Sequence, residues 1–385
     1  MSAVRSIKGA ASIAVLVALV AAQQAAADQT VATVAAPTPV SAYGGRVVWS
    51  AFDAAKSDYR LMTENAGVVA AVPVAPRSVP FDVDVGPDPS GHTIAAYSRC
   101  RRDPTRRDPA IGNAIAQMPD WSSGRGCDLY RFDFTTNREA KIASANSAGA
   151  SEFLPSVWRT RVAFARVYER RKGQAGQRPF LYVRPFAKAG RTKRVPAGSR
   201  STHRFCTGAH RCRHIVEPGP TALDLVGRRL AFGWDSADQL GPTSAAYLGA
   251  VAGHASKRLL SRVVSGDIQG AEIVAPAIAD GQVTWTLTLY GDTTSNLSQR
   301  YGIAPGAFSE ATLIRPPADP YFRPVLASAV SGSSLVHLDS GLVPVGEPCT
   351  VQSPCVAIPG CSAQQPCALT GTENLVYTPV KQPSR

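Results

Sequence analysis

Six times along the chain, a turn carrying Gly or a polar residue leads into a short apolar strand. Gly45-Arg46-Val47-Val48-Trp49 is the first instance and Gly91-His92-Thr93-Ile94-Ala95-Ala96-Tyr97 the second. Thr160-Arg161-Val162-Ala163-Phe164, Gly227-Arg228-Arg229-Leu230-Ala231-Phe232 and Gly281-Gln282-Val283-Thr284-Trp285 follow, with Gly332 to Leu338 a degenerate sixth. The aromatic positions recur every 48 to 68 residues. A repeat of this kind is one supersecondary unit that cannot shield its apolar faces without its neighbours. Its length is that of a four-stranded propeller blade carrying loop insertions.

The rest of each unit supports the same reading. Pro39-Val40-Ser41, Pro155-Ser156-Val157, Pro276-Ala277-Ile278 and Pro324-Val325-Leu326 begin short strands of small and aliphatic residues before the turn. Asp84-Val85-Gly86 and Thr221-Ala222-Leu223 stand in the matching places of the second and fourth units. Small side chains suit the innermost strands, which converge on the propeller axis. Third strands follow at Asp58 to Leu61, Asp128 to Phe132, Phe180 to Val183 and Ala246 to Leu248. Fourth strands at Ala140 to Ile142, Lys193 to Val195 and Lys257 to Leu259 are short and basic, as suits an outer edge that must not pair with another chain. The last unit lacks a fourth strand of its own, and Thr30 to Val34 is placed to supply it and close the ring.

The expected fold is therefore all-β: a single six-bladed β-propeller with disulfide-bonded loop insertions. Its blades run roughly over 39–75, 81–145, 151–198, 219–265, 271–316 and 321–380, the last interrupted by a Cys-rich insertion at 345–370. Degenerate first and last units leave five or seven blades open, and a pair of two-sheet sandwiches is the competing architecture.

Three segments of the second unit carry a family likeness: Asp88-Pro89-Ser90-Gly91-His92-Thr93-Ile94-Ala95-Ala96-Tyr97, Cys127-Asp128-Leu129-Tyr130-Arg131-Phe132-Asp133 and Glu139-Ala140-Lys141-Ile142. Together they resemble the repeat of TolB-like six-bladed β-propellers. The family's P-D-G turn is altered here to D-P-S-G and is lost in the other units. The resemblance implies a fold and, more loosely, an interaction protein of the periplasm or envelope.

The chain's beginning reads as a signal peptide over residues 1–27, with Arg5 and Lys8, an apolar run from Ala11 to Ala22, and an A-x-A site at Ala25-Ala26-Ala27. The run is shorter than the roughly 20 helical residues a bilayer requires. A secreted or cell-envelope protein is expected, touching membrane only through that leader.

Eight cysteines in an exported chain point to oxidised pairs. Cys206 with Cys212 and Cys100 with Cys127 are the expected bridges. Cys349, Cys355, Cys361 and Cys367 follow a C-x5-C-x5-C-x5-C spacing that leaves three pairings open.

Charge is distributed unevenly. Between Arg99 and Arg213 lie 25 of the 41 basic residues against 8 of the 28 acidic ones, so the remainder of the chain is mildly acidic. Such a concentration attracts anionic surfaces. Arg101, Arg102, Arg106, Arg107, Arg170 and Arg171 are the candidate anion-binding residues, with solvated loop arginines as the competing account.

No catalytic motif is present. The sequence has no G-x-S-x-G elbow, H-E-x-x-H, phosphate loop, EF-hand loop or sialidase-type S-x-D-x-G-x-x-W turn. His203, Cys206, His210, Cys212 and His214 have zinc-like spacing, but a disulfide would consume both thiolates, so no metal or other cofactor is expected. Asp82, Asp84, Glu152, Asp224 and Glu272 are candidate acids for one mouth of the channel, where converging carboxylates bind a cation or supply an acid/base pair for glycoside cleavage; capping of turns is the alternative. Asn296-Leu297-Ser298 fits a glycosylation acceptor.

The expectation is a non-enzymatic monomer that binds an envelope or extracellular protein, or an anionic polymer, through its loop face, and no nucleic acid. The alternatives are a glycosidase-like enzyme and a structural envelope protein.

Overall fold

Each repeated turn joins the first two strands of an antiparallel sheet. Gly44-Gly45 and Asp280-Gly281 both carry positive φ at their two central residues, the hairpin geometry whose twist matches the flanking strands. The computed structural model describes residues 29–35, 38–106, 118–168, 179–187, 190–196, 204–206, 212–214, 219–238, 241–250, 256–263, 270–290, 295–303, 308–313, 325–331, 334–344 and 367–379.

Among the described residues, six four-stranded antiparallel sheets are formed. The first comprises Val40–Tyr43, Arg46–Asp53, Asp58–Asn65 and Val68–Ala71. The second comprises Asp84–Pro87, Thr93–Arg99, Asp128–Asp133 and Arg138–Lys141. Ala150–Trp158, Arg161–Tyr168, Phe180–Pro185 and Lys193–Val195 make the third. Gly219–Val226, Arg229–Asp238, Gly241–Ala250 and Lys257–Val263 make the fourth. The fifth is Gly270–Ala279, Gln282–Tyr290, Ser295–Gly302 and Phe308–Leu313.

The sixth sheet is assembled from both ends of the chain. Val325–Ser331, Ser334–Pro344 and Cys367–Pro379 are completed by Gln29–Val34, which pairs antiparallel with the last strand. Thr30 to Val34 thus takes the edge that the sequence left open.

The innermost strand of each sheet lies against that of the next, and the sixth lies against the first. This closed circuit of sheets is a β-propeller, and it replaces the two-layer sandwich alternative. Among the described residues the only helix is the 3-10 turn Trp121–Ser123, and no helix is long and apolar enough to cross a membrane.

The core is divided among the seams between sheets. The aromatic that ends each repeat lies in the second strand of its sheet: Trp49, Tyr97, Phe164, Phe232 and Trp285 are all buried, and Leu338 occupies the degenerate sixth position. Trp49 packs between the sixth and first sheets, Tyr97 between the first and second, and Phe164 between the second and third. Phe232 and Trp285 fill the following two seams. The aromatic periodicity in sequence is therefore the periodicity of the seams. Outermost strands carry little of this core, and Val68–Ala71 and Arg138–Lys141 are exposed throughout.

Candidate functional site

The innermost strands converge on the axis, where they enclose a cavity of about 480 Å³. Its walls are mainly small and aliphatic side chains, as the taper requires. The polar groups among them form a repeating inter-sheet clasp. Val85 N–H, in the second sheet, donates to Ser41 Oγ of the first at 2.9 Å. Val157 N–H, in the third, donates to Asp84 Oδ2 of the second at 2.9 Å. Leu225 N–H, in the fourth, donates to Ser156 Oγ of the third at 2.7 Å. Ile278 N–H, in the fifth, donates to Asp224 Oδ2 of the fourth.

In every case the side chain takes the N–H of the residue that follows the equivalent position in the next sheet. The fifth sheet has Ala277 there, and the circuit is carried on instead by Thr286 Oγ1 donating to Ser328 Oγ of the sixth sheet at 3.2 Å. Buried N–H groups need partners, and where two sheets meet side by side a side chain must supply them.

The predicted channel acids separate on this basis. Asp82 lines the cavity but is fully engaged. It accepts from Ser98 N–H and Ser98 Oγ–H at 2.8 Å each, from Leu154 N–H at 2.7 Å and from Arg77 at 3.4 Å. Leu154 sits at φ 47° directly before Pro155, where the strand bulges, and Asp82 holds its displaced N–H.

Asp84 and Asp224 also line the cavity. Burial pushes Asp84 up to about 6, against the hydrogen bonds from Val157 and Ser41. Burial, followed by repulsion from Asp84, pushes Asp224 up to about 8. Glu152 does not line the cavity. It lies in the seam between the second and third sheets, accepting from Arg166 Nε–H at 2.8 Å and Ser147 Oγ–H at 2.9 Å. Burial raises it to about 7 despite Arg166. The side chain of Glu272 lies outside the described residues.

Of the basic candidates, Arg101, Arg102 and Arg106 lie on one insertion between the second and third strands of the second sheet. Cys100 and Cys127 are bridged at its base. Beside the bridge, exposed Arg101 and Arg102 pair through backbone with Gly126 and Arg125. Arg106 lies in a two-stranded ribbon, opposite Pro119. Arg107, Arg170 and Arg171 lie outside the described residues. Many neighbouring cations are engaged internally: Arg99 with Glu139, Arg131 with Asp88, Lys141 with Asp128, and Arg166 over the Phe164, Tyr168 and Tyr182 rings.

Cys206 and Cys212 face each other across the ribbon Arg204–Cys206 and Cys212–His214. Cys367 begins the last strand. The leader, His203, His210, Cys349, Cys355 and Cys361 lie outside the described residues. Asn296 lies within the strand Ser295–Gly302.

Two features escaped the sequence reading. Ser41 and Ser156 alternate with Asp84 and Asp224 in the clasp, a signal legible only once the four inner strands are aligned. Asp88, His92 and Asp133 place ligand atoms within 4.8 Å of one another. Their carboxylates are engaged, Asp88 by Ser90 N–H, His92 N–H and Arg131, and Asp133 by Thr135 and Thr136 N–H.

Neither a protein-family model nor a curated protein matches the sequence. Solved propellers do match the structure. TolB from Acinetobacter baumannii is 11% identical with a TM-score of 0.41, over 71% of this chain and 53% of its own, so the chain spans about half of TolB's length. The β-propeller domain of the Trilobed protease from Pyrococcus furiosus is 10% identical with a TM-score of 0.40, over 77% and 72%. The six-bladed fungal Aleuria aurantia lectin is 8% identical with a TM-score of 0.44, over 79% and 88%. The closed circuit of four-stranded sheets itself makes the chain a β-propeller.

Proposed function

We propose that this protein is a non-enzymatic, six-bladed propeller of the cell envelope or exterior, binding a protein partner or anionic polymer at its insertion-bearing face. Six four-stranded sheets around one axis support the blade count. The Cys100–Cys127 bridge supports an oxidising compartment, because such bonds persist where thiols are not kept reduced.

The single observation that carries the binding reading is the construction of the insertion. It bears Arg101, Arg102 and Arg106, and it is held at its base by the bridge, by backbone pairing and by the Thr105–Arg106 ribbon. Positive charge on a preorganised arm loses little entropy on binding. The glycosidase alternative loses ground in the channel, because Asp82 and Asp84 are occupied by backbone and hydroxyl donors. A general acid or base instead needs an oxygen free to exchange a proton with substrate.

The test is retention of the folded, oxidised chain on dextran sulfate and on neutral dextran between about 20 and 500 mM salt. Retention on the sulfated matrix alone, lost as salt shortens the Debye length, is expected. Replacing Arg101, Arg102 and Arg106 together by Ser should weaken it about tenfold. Equal retention on both matrices, or an unaffected triple variant, would refute the assignment and leave a structural role.

A further inference from the structure

The axial cavity differs in character from the basic insertion above it. Where the inner strands begin, Met118 and Trp121 of the insertion lie across the channel. Met118 packs on the apolar cluster of the sixth and first sheets, and Trp121 is buried in the cluster of the third and fourth. Where the inner strands end, the lining includes Tyr43 and Trp158, whose rings meet edge to face at 5.8 Å. Asp280 and Arg229, both exposed, stand at the same end.

Charge in the lining runs opposite to the molecule's net +13. Four carboxylates, Asp82, Asp84, Asp224 and Asp280, accompany one guanidinium, Arg229. Asp82 is neutralised by Arg77. Among the described residues, no cationic side chain lies within ion-pair distance of Asp84 or Asp224. Two carboxyls thus share an apolar cavity without a counter-charge, and each makes ionisation of the other harder. A cation between them would relieve both burial and repulsion.

The rest of the lining selects the kind of cation. Metal ions such as calcium need six or more oxygens, but both Asp84 oxygens already accept hydrogen bonds, from Ser41 and Val157. The walls, including Val40, Val85, Leu223 and Ile278, suit a hydrocarbon body. The volume lies within the range of small-molecule sites. Aromatic faces at the open end favour an organic cation over an anion.

We propose that the channel is a binding site for a small organic ammonium ion with an apolar body, which enters past Tyr43 and Trp158 and sets its charge between Asp84 and Asp224. The site is separate from the basic insertion and stands whether or not that face binds a polymer.

The probe is benzyltrimethylammonium, whose charge is permanent, with phenylacetate as an anion of similar body. Calorimetry on the full, oxidised chain should give saturable binding of the ammonium and none of the phenylacetate. Because Asp224 is raised to about 8, the bound cation displaces its proton at neutral pH. Affinity should therefore rise by on the order of tenfold per unit between pH 6 and 8, then level off. The other charged groups facing the channel are Asp82, which is paired with Arg77, together with Asp280 and Arg229, and no histidine is among the described lining residues.

Asp224→Asn, which keeps an acceptor for Ile278 N–H, should cost about tenfold in affinity and abolish the pH slope. Ala222→Leu, which narrows the channel and leaves both carboxyls in place, should abolish binding while the melting temperature is retained. The proposal falls if the folded wild-type chain does not bind the ammonium at millimolar concentration. It falls equally if phenylacetate binds as well, or if Ala222→Leu binds unchanged.

Discussion

At the residue scale, the informative side chains are carboxyls held where water is scarce. Asp84, Glu152 and Asp224 have folded values of about 6, 7 and 8, each raised first by burial. Between the ordinary carboxyl range near 4 and these values, the folded chain binds more protons than the unfolded one. Stability from these groups is therefore fully present below about pH 4, falls as pH rises, and is lost above about pH 8. The urea midpoint should be lower at pH 8.5 than at pH 5, and Glu152→Gln should flatten the difference. A midpoint that is equal or higher at pH 8.5 would contradict this reading. The sequence displayed all three acids but not their settings. Composition cannot reveal that Asp84 and Asp224 accept N–H groups from the following sheets, or that Glu152 lies in a seam with Arg166.

At the element scale, the described parts of the insertion between Cys100 and Cys127, residues 101–106 and 118–126, are the best example of loop segments given a fixed shape. Beyond its bridge, Cys127 N–H donates to Ser151 Oγ and Glu152 N–H to Cys127 O, tying the insertion to the third sheet. Gly124 lies so close that an added Cβ would meet Cys127 Sγ at 2.7 Å. Closing a loop with a sequence separation of 27 stabilises the chain by about 3.5 kcal/mol on the loop-entropy account. The double variant Cys100→Ser, Cys127→Ser should lose about that much in denaturant titration. The Trp121 fluorescence environment should change with it, because the bridge holds the arm that buries this ring. Both cysteines were legible as a pair in the sequence, since they flank a polar, Arg- and Pro-rich segment of an even-cysteine chain. The route of the arm across the channel was not, because Met118 and Trp121 meet sheets far apart in sequence.

At the scale of the whole molecule, ring closure depends on six residues from one end of the chain. Gln29–Val34 pairs along Cys367–Pro379, and Val34 is buried against the first and sixth sheets. Deleting residues 29–34 should remove at least about 2 kcal/mol, from Val34 burial alone. It would also leave the Cys367–Pro379 strand as an open edge, so faster aggregation on heating is expected. An unchanged melting temperature and no added scattering would show that closure does not rest on this strand. By itself the sequence determined the all-β class, the seam aromatics and the basic outer strands of the second, third and fourth sheets, because local turn chemistry and a repeated apolar pattern specify each sheet independently of its surroundings. Only the tertiary structure decided which carboxyls face the axis, which N–H each accepts and which cations remain on the surface. Those outcomes depend on neighbours brought together by the ring, such as Asp84 with Val157 and Asp224 with Ile278, and no spacing within one repeat encodes them.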